Sequence, residues 1–547
     1  MAGGLLNLIA GTNSSSLILI GNPETSFFKT TYLTFFNFGL QKFRIDYTGN
    51  NDLQQTTTTN LTFKIDRYGD LLMDAYLVFR LPNIWSPIYR FEDGTYSTYN
   101  FKWIKDIGCN IIKQITIRSD GLILQKYSGQ YIRNIVERDY NNVKRDLFDK
   151  MVGNVHELYE PAVGSGYKSY VKDPVYPNSY GSSSTPSISA RDIYVPLNSW
   201  FMSSTYQALP LISLQYQNIY IDFELRPLNE LYTINNLDAD VKYITYESEY
   251  RGIKNVKTPG GAQYNLSVFT EAYDTSYVTV DTEFNTRIPF FDIHLLCTQS
   301  FLSDEQRTYY AQNPLSYLYK DYRELIIPGL VGNIKLDMES HALVSNWMWY
   351  FQRSDINERN EWSNYTNLEY NRYNSYDNLI IYDLSQTNLN NSYVINNGIY
   401  EPIYITPAYL DSYNVNILNK LAILCDGAYR EYMLNDKRNY NIYNYIEKYK
   451  RTTGNAKDGL YCYNFTLDSD PKKYQPTGYF DTNYFKTIEF EFTTFQPTID
   501  PSNTTNIVVT CDENGNITSI NKSNSSLYPY TYTLTLQEER YNVLEFT

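Results

Sequence analysis

Strict alternation of apolar and polar side chains recurs along this chain. A period of two commits each such stretch to a half-buried antiparallel strand, because successive strand side chains point to opposite faces. Leu61, Phe63 and Ile65 alternate with Thr62, Lys64 and Asp66. Ile219, Ile221, Phe223 and Leu225 alternate with Tyr220, Asp222 and Glu224, and Ile488, Phe490 and Phe492 with Glu489, Glu491 and Thr493. Asp120-Gly121 lies between Ile115–Arg118 and Leu122–Gln125, and Asn514-Gly515 between Ile507–Cys511 and Asn516–Ile520; both read as hairpin turns. One segment has another period. Ile132, Ile135, Val136, Tyr140, Val143, Leu147 and Met151 fall three and four apart, which predicts one helix ending near Gly153 and covering an end of a sheet pair. A shorter helix is expected over Asp304–Ala311, between two strand-rich regions. Glu160–Arg191 and Asp355–Gly398 are longer than ordinary connections and read as functional or disordered excursions. The pattern predicts an all-β chain of two sandwiches with long loop insertions and a few short helices.

Charge and composition exclude several function classes. The chain of 547 residues carries 46 Lys+Arg against 60 Asp+Glu, a formal net charge of −14, so it lacks the basic surface of a general nucleic-acid binder. The 57 tyrosines far outnumber the 26 Phe and 6 Trp. Tyrosine suits half-buried pleated surfaces, and an AT-rich genome would also raise its share through its codons. Cys109, Cys297, Cys425, Cys462 and Cys511 form no CxxC pair, which argues against structural zinc and against a disulfide framework. The first cationic side chain is Lys29, residue 2 is Ala, and no stretch reaches about 18 apolar residues. A reducing, cytosolic setting is therefore expected. In that setting the N-x-Ser/Thr matches, such as Asn13, Asn265 and Asn521, read as chance in a chain rich in Asn, Ser and Thr.

The search for chemistry finds no constellation. His156, His294 and His341 lie far apart, and His156-Glu157 lacks the second His of a zinc-protease helix. A phosphate loop, a dinucleotide fingerprint and a nucleophile elbow are all missing. Asp512–Asn516 begins like a calcium loop, but Ser523 stands where the bidentate Glu is needed. Asp468 and Asp470 are close enough to meet a metal, as chance pairs are in so acidic a chain. The densest basic run, Lys448-Tyr449-Lys450-Arg451, reads as a solvated face or a contact to an acidic partner. No catalytic, cofactor-binding or metal-ligating residue is assigned, no cofactor is implied, and the chain is expected not to be an enzyme.

Distinctive motifs then appear in order. Gly21-Asn22-Pro23-Glu24-Thr25-Ser26-Phe27-Phe28-Lys29 is followed by Tyr32 and Asn37-Phe38, then by Asp66-Arg67-Tyr68-Gly69-Asp70-Leu71-Leu72. Next come Trp103 to Gly108, Ser128-Gly129-Gln130-Tyr131, Tyr194-Val195-Pro196-Leu197 with Trp200-Phe201, and Leu209-Pro210-Leu211-Ile212-Ser213-Leu214-Gln215-Tyr216. The second half continues with Asp304-Glu305-Gln306-Arg307, Trp349, Asn360-Glu361-Trp362-Ser363-Asn364-Tyr365, Gly459 to Phe465, Gln475-Pro476-Thr477-Gly478 and Tyr541-Asn542-Val543-Leu544. This series resembles the major capsid proteins of nucleocytoplasmic large DNA viruses, the double jelly-roll family. Two departures stand out. Leu33-Thr34-Phe35-Phe36 replaces the basic pair usual after Tyr32, and no Gly-rich tail follows the final Asn-Val-Leu.

The resemblance implies two eight-stranded antiparallel β-sandwiches: an N-terminal arm at 1–26, a first jelly roll at 27–301, a connector at 302–318 and a second roll at 319–547. It implies a homotrimer forming a pseudo-hexagonal capsomer that tiles an icosahedral shell. The expected partners are neighbouring capsomers, minor capsid and penton proteins, the internal membrane side indirectly and a viral chaperone, with no direct nucleic acid. The arm is expected at the capsomer base and the two excursions at the outer crown. The expected location is the virion capsid, assembled in the host cytoplasm at a virus factory. The competing readings are a minor capsid paralogue, a glycan-binding β-sandwich of the virion surface, and a β-sandwich glycoside hydrolase with paired carboxylates.

Overall fold

The computed structural model describes residues 3–10, 17–49, 52–85, 88–90, 96–98, 101–159, 170–172, 180–182, 186–234, 266–270, 291–340, 342–354, 356, 360–367, 393–396, 399–402, 416–432, 441–470, 475–495, 508–511, 517–521 and 530–546. His341 and the turn residues Asn514-Gly515 lie outside the described residues, although Val508–Cys511 and Ile517–Asn521 on either side of that turn do pair antiparallel.

The alternating stretches form strands with the expected faces. Ile219–Leu225 and Ile488–Thr494 each bury every second side chain along their length. Numbered along the chain, the first sandwich comprises β1 (Phe38–Ile45), β2 (Thr59–Lys64), β3 (Leu71–Leu81), β4 (Ile112–Ser119), β5 (Leu122–Tyr127), β6 (Arg191–Pro196), β7 (Ile219–Leu225) and β8 (His294–Leu302). One sheet has the order β1-β8-β3-β6 and the facing sheet β2-β7-β4-β5. Asp120 turns β4 into β5 at φ 46° with Ser119 opposite Leu122, so the Asp-Gly hairpin forms as read.

The second sandwich comprises β9 (Leu315–Leu330), β10 (Asn333–Asp337), β11 (Leu343–Arg353), β12 (Leu418–Cys425), β13 (Ala428–Glu431), β14 (Leu460–Asn464), β15 (Ile488–Thr494) and β16 (Tyr532–Phe546). Its sheets run β9-β16-β11-β14 and β10-β15-β12-β13, the same order as in the first. Even a minor feature repeats: Leu209–Pro210 adds to β3 and Phe480–Asp481 adds to β11. Each half is thus an eight-stranded jelly roll, and the chain is a double jelly roll.

Aromatic packing fills both interiors. Phe63 meets Phe223 edge to face at 5.5 Å in the first roll. In the second, Trp347 and Trp349 lie at 5.4 and 5.6 Å from Phe490. Burying each such ring contributes on the order of 2–3 kcal/mol. Tyr319, Tyr322, Met348, Cys462 and Phe546 of the second roll belong to the core of the first, so the apolar interior runs across the boundary between the rolls.

The helical segment differs from the reading. Two helices replace the expected one: α2 (Gly129–Asp139) and α3 (Asn142–Val152), following α1 (Gly3–Ala10). Tyr140 is extended, and the side chain of Asn141 caps the new helix at Lys144 N–H. The break turns α3 about its axis. Phe148 and Val152 face inward, while Val143 and Leu147, expected inside, are solvent-exposed. Gly153 ends α3 at φ 79°, as expected. The connector helix α4 (Asp304–Gln312) also forms where read. Buried Asp70 ties it down, accepting from Leu302 N–H at 2.9 Å and Arg307 Nε at 3.0 Å.

Gly129 opens α2 where no Cβ fits: one would collide with the Cys109 carbonyl and lie 2.5 Å from that of Ile112. Gly129→Ala is therefore expected to cost about 3 kcal/mol or more, read as a lowered thermal midpoint in calorimetry.

Candidate functional site at the seam between the sandwiches

The residues weighed for chemistry do not converge. His156 lies against the Tyr159 ring and His294 directs Nδ1 at the Asp292 carbonyl, in different parts of the first roll. Asp468 Oδ1 accepts from the backbone N–H of Asp470 at 2.9 Å, a local turn rather than a paired-carboxylate cleft. Among the described residues, no group of three His, Cys, Asp or Glu is placed to hold a metal ion. Cys109, Cys297, Cys425 and Cys462 are free and buried, and burial pushes the Cys297 thiol up to about 12 and that of Cys462 to about 11.

The basic run at 448–451 is not a solvated face throughout. Lys448 points inward, donating to Asn444 Oδ1 at 3.0 Å and to the Leu460 carbonyl at 2.5 Å, and burial lowers its pKa to about 8. The helix that carries it presents Tyr445, Ile446 and Tyr449 outward instead.

What the structure does concentrate is charge at the seam between the rolls, centred on α2. Arg138, with a side chain 1% exposed, bonds Asp139 of its own helix at 2.6 Å and Glu539 of β16 at 2.9 Å. Its Nη1 also donates to Asn346 Oδ1 on β11 at 2.6 Å. Glu539 accepts further bonds from Tyr131 Oη at 3.0 Å and Asn346 Nδ2 at 2.6 Å, with Lys320 Nζ at 3.8 Å. Burial works to raise the Glu539 carboxyl, but Arg138 and Lys320 outweigh it and hold the group below the ordinary carboxylate range. A second buried cation, Arg133, serves Asp106, Glu137 and Asp149 one turn away.

The second roll also caps α2. Helix-terminal carbonyls need partners. Those of Glu137 and Arg138 accept from Asn455 N–H at 2.9 Å and Gly454 N–H at 2.8 Å, and that of Asp139 accepts from the Thr453 hydroxyl.

The Asn-Glu-Trp-Ser-Asn-Tyr motif is a clamp from the second roll onto the first. Asn360 Nδ2 donates to the carbonyls of Asn229 and Tyr232 at 2.9 and 3.0 Å, Trp362 Nε1 to that of Glu230 at 3.1 Å, and Tyr365 Oη to Asn134 at 3.0 Å. Arg226 stacks over the Trp362 ring at 3.8 Å. Tyr131, Tyr322, Tyr350 and Tyr365 are all buried at the seam. A cavity of about 50 Å³ beside Tyr131, Lys320 and Glu539 has room for water but falls far below the roughly 300 Å³ of a small-molecule site. The arrangement ties the two sandwiches together through buried hydrogen bonds and ion pairs.

Comparison with known proteins agrees with that geometry. The family described as "Major capsid protein N-terminus" matches residues 26–273. A relative named "Probable capsid protein 4" from Acanthamoeba polyphaga mimivirus is 23% identical over 58% of this chain and 66% of its own length. The "Major capsid protein" of Phaeocystis pouchetii virus is 28% identical over 45% of each chain. The chain therefore spans between about half and two thirds of these relatives. Among solved structures, the PBCV-1 virus capsid superposes with a TM-score of 0.60 at 16% identity, over 95% of this chain and 98% of that one. The Faustovirus major capsid protein superposes with a TM-score of 0.59 at 12% identity, over 99% and 96%. The resemblance to major capsid proteins of large DNA viruses holds in sequence over the first half and in fold over nearly the whole chain.

Arg138→Met strands two buried carboxylates and is expected to cost about 3–5 kcal/mol in thermal denaturation, a loss largely recovered when Asp139→Asn and Glu539→Gln are added. Lys448 gives a pH test. Its folded pKa lies below the unfolded value, so above pH 8 this lysine is more protonated in the unfolded chain and its own contribution to stability rises with pH. That contribution grows by up to about 2 kcal/mol between pH 8 and pH 10, against the opposite trend from the buried thiols of Cys297 and Cys462, whose folded pKa values lie above their unfolded ones. In chemical denaturation the stability difference between wild type and Lys448→Met should therefore move in favour of the wild type by up to about 2 kcal/mol from pH 8 to pH 10.

Proposed function

We propose that this chain, a relative of the major capsid proteins of large DNA viruses, is a structural capsid protein whose three copies form a pseudo-hexagonal capsomer. One observation carries the reading: two jelly rolls of identical strand order lie side by side in one chain, joined by a seam of buried ion pairs and by second-roll side chains packed into the core of the first. Three such chains around an axis present six similar lobes. A closed ring of identical heterologous contacts needs no further component, and a six-lobed block tiles a flat facet.

We divide the chain accordingly into an arm at 1–26, a first roll at 27–301, a connector at 302–318 and a second roll at 319–547. The mechanism is geometric and involves no catalytic step or cofactor. Obligate contacts within the trimer are broad and apolar, and contacts between capsomers are smaller and more polar. The partners are neighbouring capsomers, minor capsid and penton proteins, the inner membrane side indirectly and a folding chaperone, without direct nucleic acid. The place of action is the virion shell, assembled in the host cytoplasm. The excursions at Glu160–Arg191 and Asp355–Gly398 suit the outer crown, where insertion costs little.

Three chains of 64.0 kDa make a 192 kDa particle, the mass expected from light scattering after size exclusion of the purified protein. A monomer that persists when viral chaperones are co-expressed would overturn the trimeric reading.

A further inference from the structure

Upstream of β1, residues 27–37 are exposed. Phe27 and Phe28 are 100% exposed, Leu33 91% and Phe35 81%; Tyr32, Phe36, Phe38 and Leu40 are also on the surface. Lys29 is the only charged residue between Thr25 and Gln41. These eight side chains present on the order of 1,000 Å² of largely apolar area, more than the roughly 300–600 Å² of the largest patch on an ordinary monomer. It matches the roughly 800 Å² per partner of a standard interface. The segment is rich in strand-forming Thr, Tyr and Phe, and it continues into β1, an edge strand that pairs only with β8 among the described residues. Exposed edges of this kind are templates for another chain.

An apolar strip of the second roll begins one short helix along the chain from the pairing partner of Phe38. Phe38 pairs with Leu302, and from Leu302 the chain passes through α4 to Leu315. Close to Leu315 in the long β9–β16 ladder, Leu318 sits opposite Val543, and Leu343 opposite Tyr541. Leu318, Leu343 and Val543 are 37%, 38% and 50% exposed. Rotation about an axis along the strands preserves level, so an arm leaving one copy at Phe38 arrives at this strip on the next.

We propose that residues 27–40 of each copy pack on the Leu318–Leu343–Val543 strip of a second copy, an arm exchange that rests on the trimeric reading above. The apolar run Leu33-Thr34-Phe35-Phe36 is what fits the arm to an apolar receptor rather than to an acidic one.

Trypsin tests this, because Lys29 is the first cationic residue of the chain and Lys42 the next after it. In the intact wild-type trimer, cleavage after Lys29 is expected to be at least about tenfold slower than in a peptide spanning residues 17–41. Val543→Asp, at an exposed position, should restore fast cleavage while light scattering still gives the mass of a trimer. A trimer cut at Lys29 as fast as the peptide overturns the arm exchange and leaves the trimer standing. Protection that Val543→Asp does not relieve, or that appears only with added phosphatidylcholine vesicles, also overturns it by placing the arm elsewhere. A wild-type protein that is not a trimer removes the underlying reading itself.

Discussion

The ion triad of Arg138, Asp139 and Glu539 is the interaction on which the arrangement of the two jelly rolls depends. Each roll has its own buried aromatic core, but apolar contact is non-directional and tolerates sliding. A guanidinium 1% exposed between a carboxylate of its own helix and one from the other roll does not, because a shift of one residue leaves charges buried without partners. The surrounding bonds point the same way. The loop at Thr453–Asn455 closes the last carbonyls of α2, and the Asn360–Tyr365 clamp reaches back to the chain around Glu230. The rolls meet in one register, and a chain that must present two lobes at a constant angle needs that property.

The way the seam is made follows from a difference between two otherwise equivalent halves. Strand order is the same in both, yet β9 and β16 have 16 and 15 residues where their counterparts β1 and β8 have 8 and 9. The added length carries Tyr319, Tyr322 and Phe546 into the core of the first roll and brings Glu539 to Arg138. Lengthening an edge strand and its neighbour carries the second roll into the core of the first. Tyrosine fits this boundary well: it fills apolar space, and its hydroxyl satisfies groups such as Glu539, Gln130 and Asn134 that burial would otherwise penalise.

Much of the fold was legible in the chain itself. The alternation at Leu61–Ile65, Ile219–Leu225 and Ile488–Phe492 became sandwich strands with the expected inner faces, because a period of two leaves one way to bury an apolar set. The Asp120-Gly121 hairpin and the connector helix were likewise local, set by turn chemistry and short-range pattern. The helix after Ser128 was only half legible. Its apolar spacing continued through Tyr140, and nothing local distinguished Asn141 as a cap from Asn141 as a surface residue. The seam was not legible at all. Arg138 and Glu539 are 401 residues apart, and Lys448 looked like part of a surface basic run until its burial showed otherwise.

Sequence by itself determined the secondary structure period, the two-sandwich plan and the family likeness, since each of these is written in neighbouring residues and ordered motifs. Tertiary structure alone decided that the two halves share one strand order, that their charges meet in a buried triad, and that an aromatic segment ahead of β1 is exposed. The reason is physical. Pairing between distant strands and the pairing of buried ions depend on the complete set of loop closures and desolvation costs. No window of the chain contains those terms.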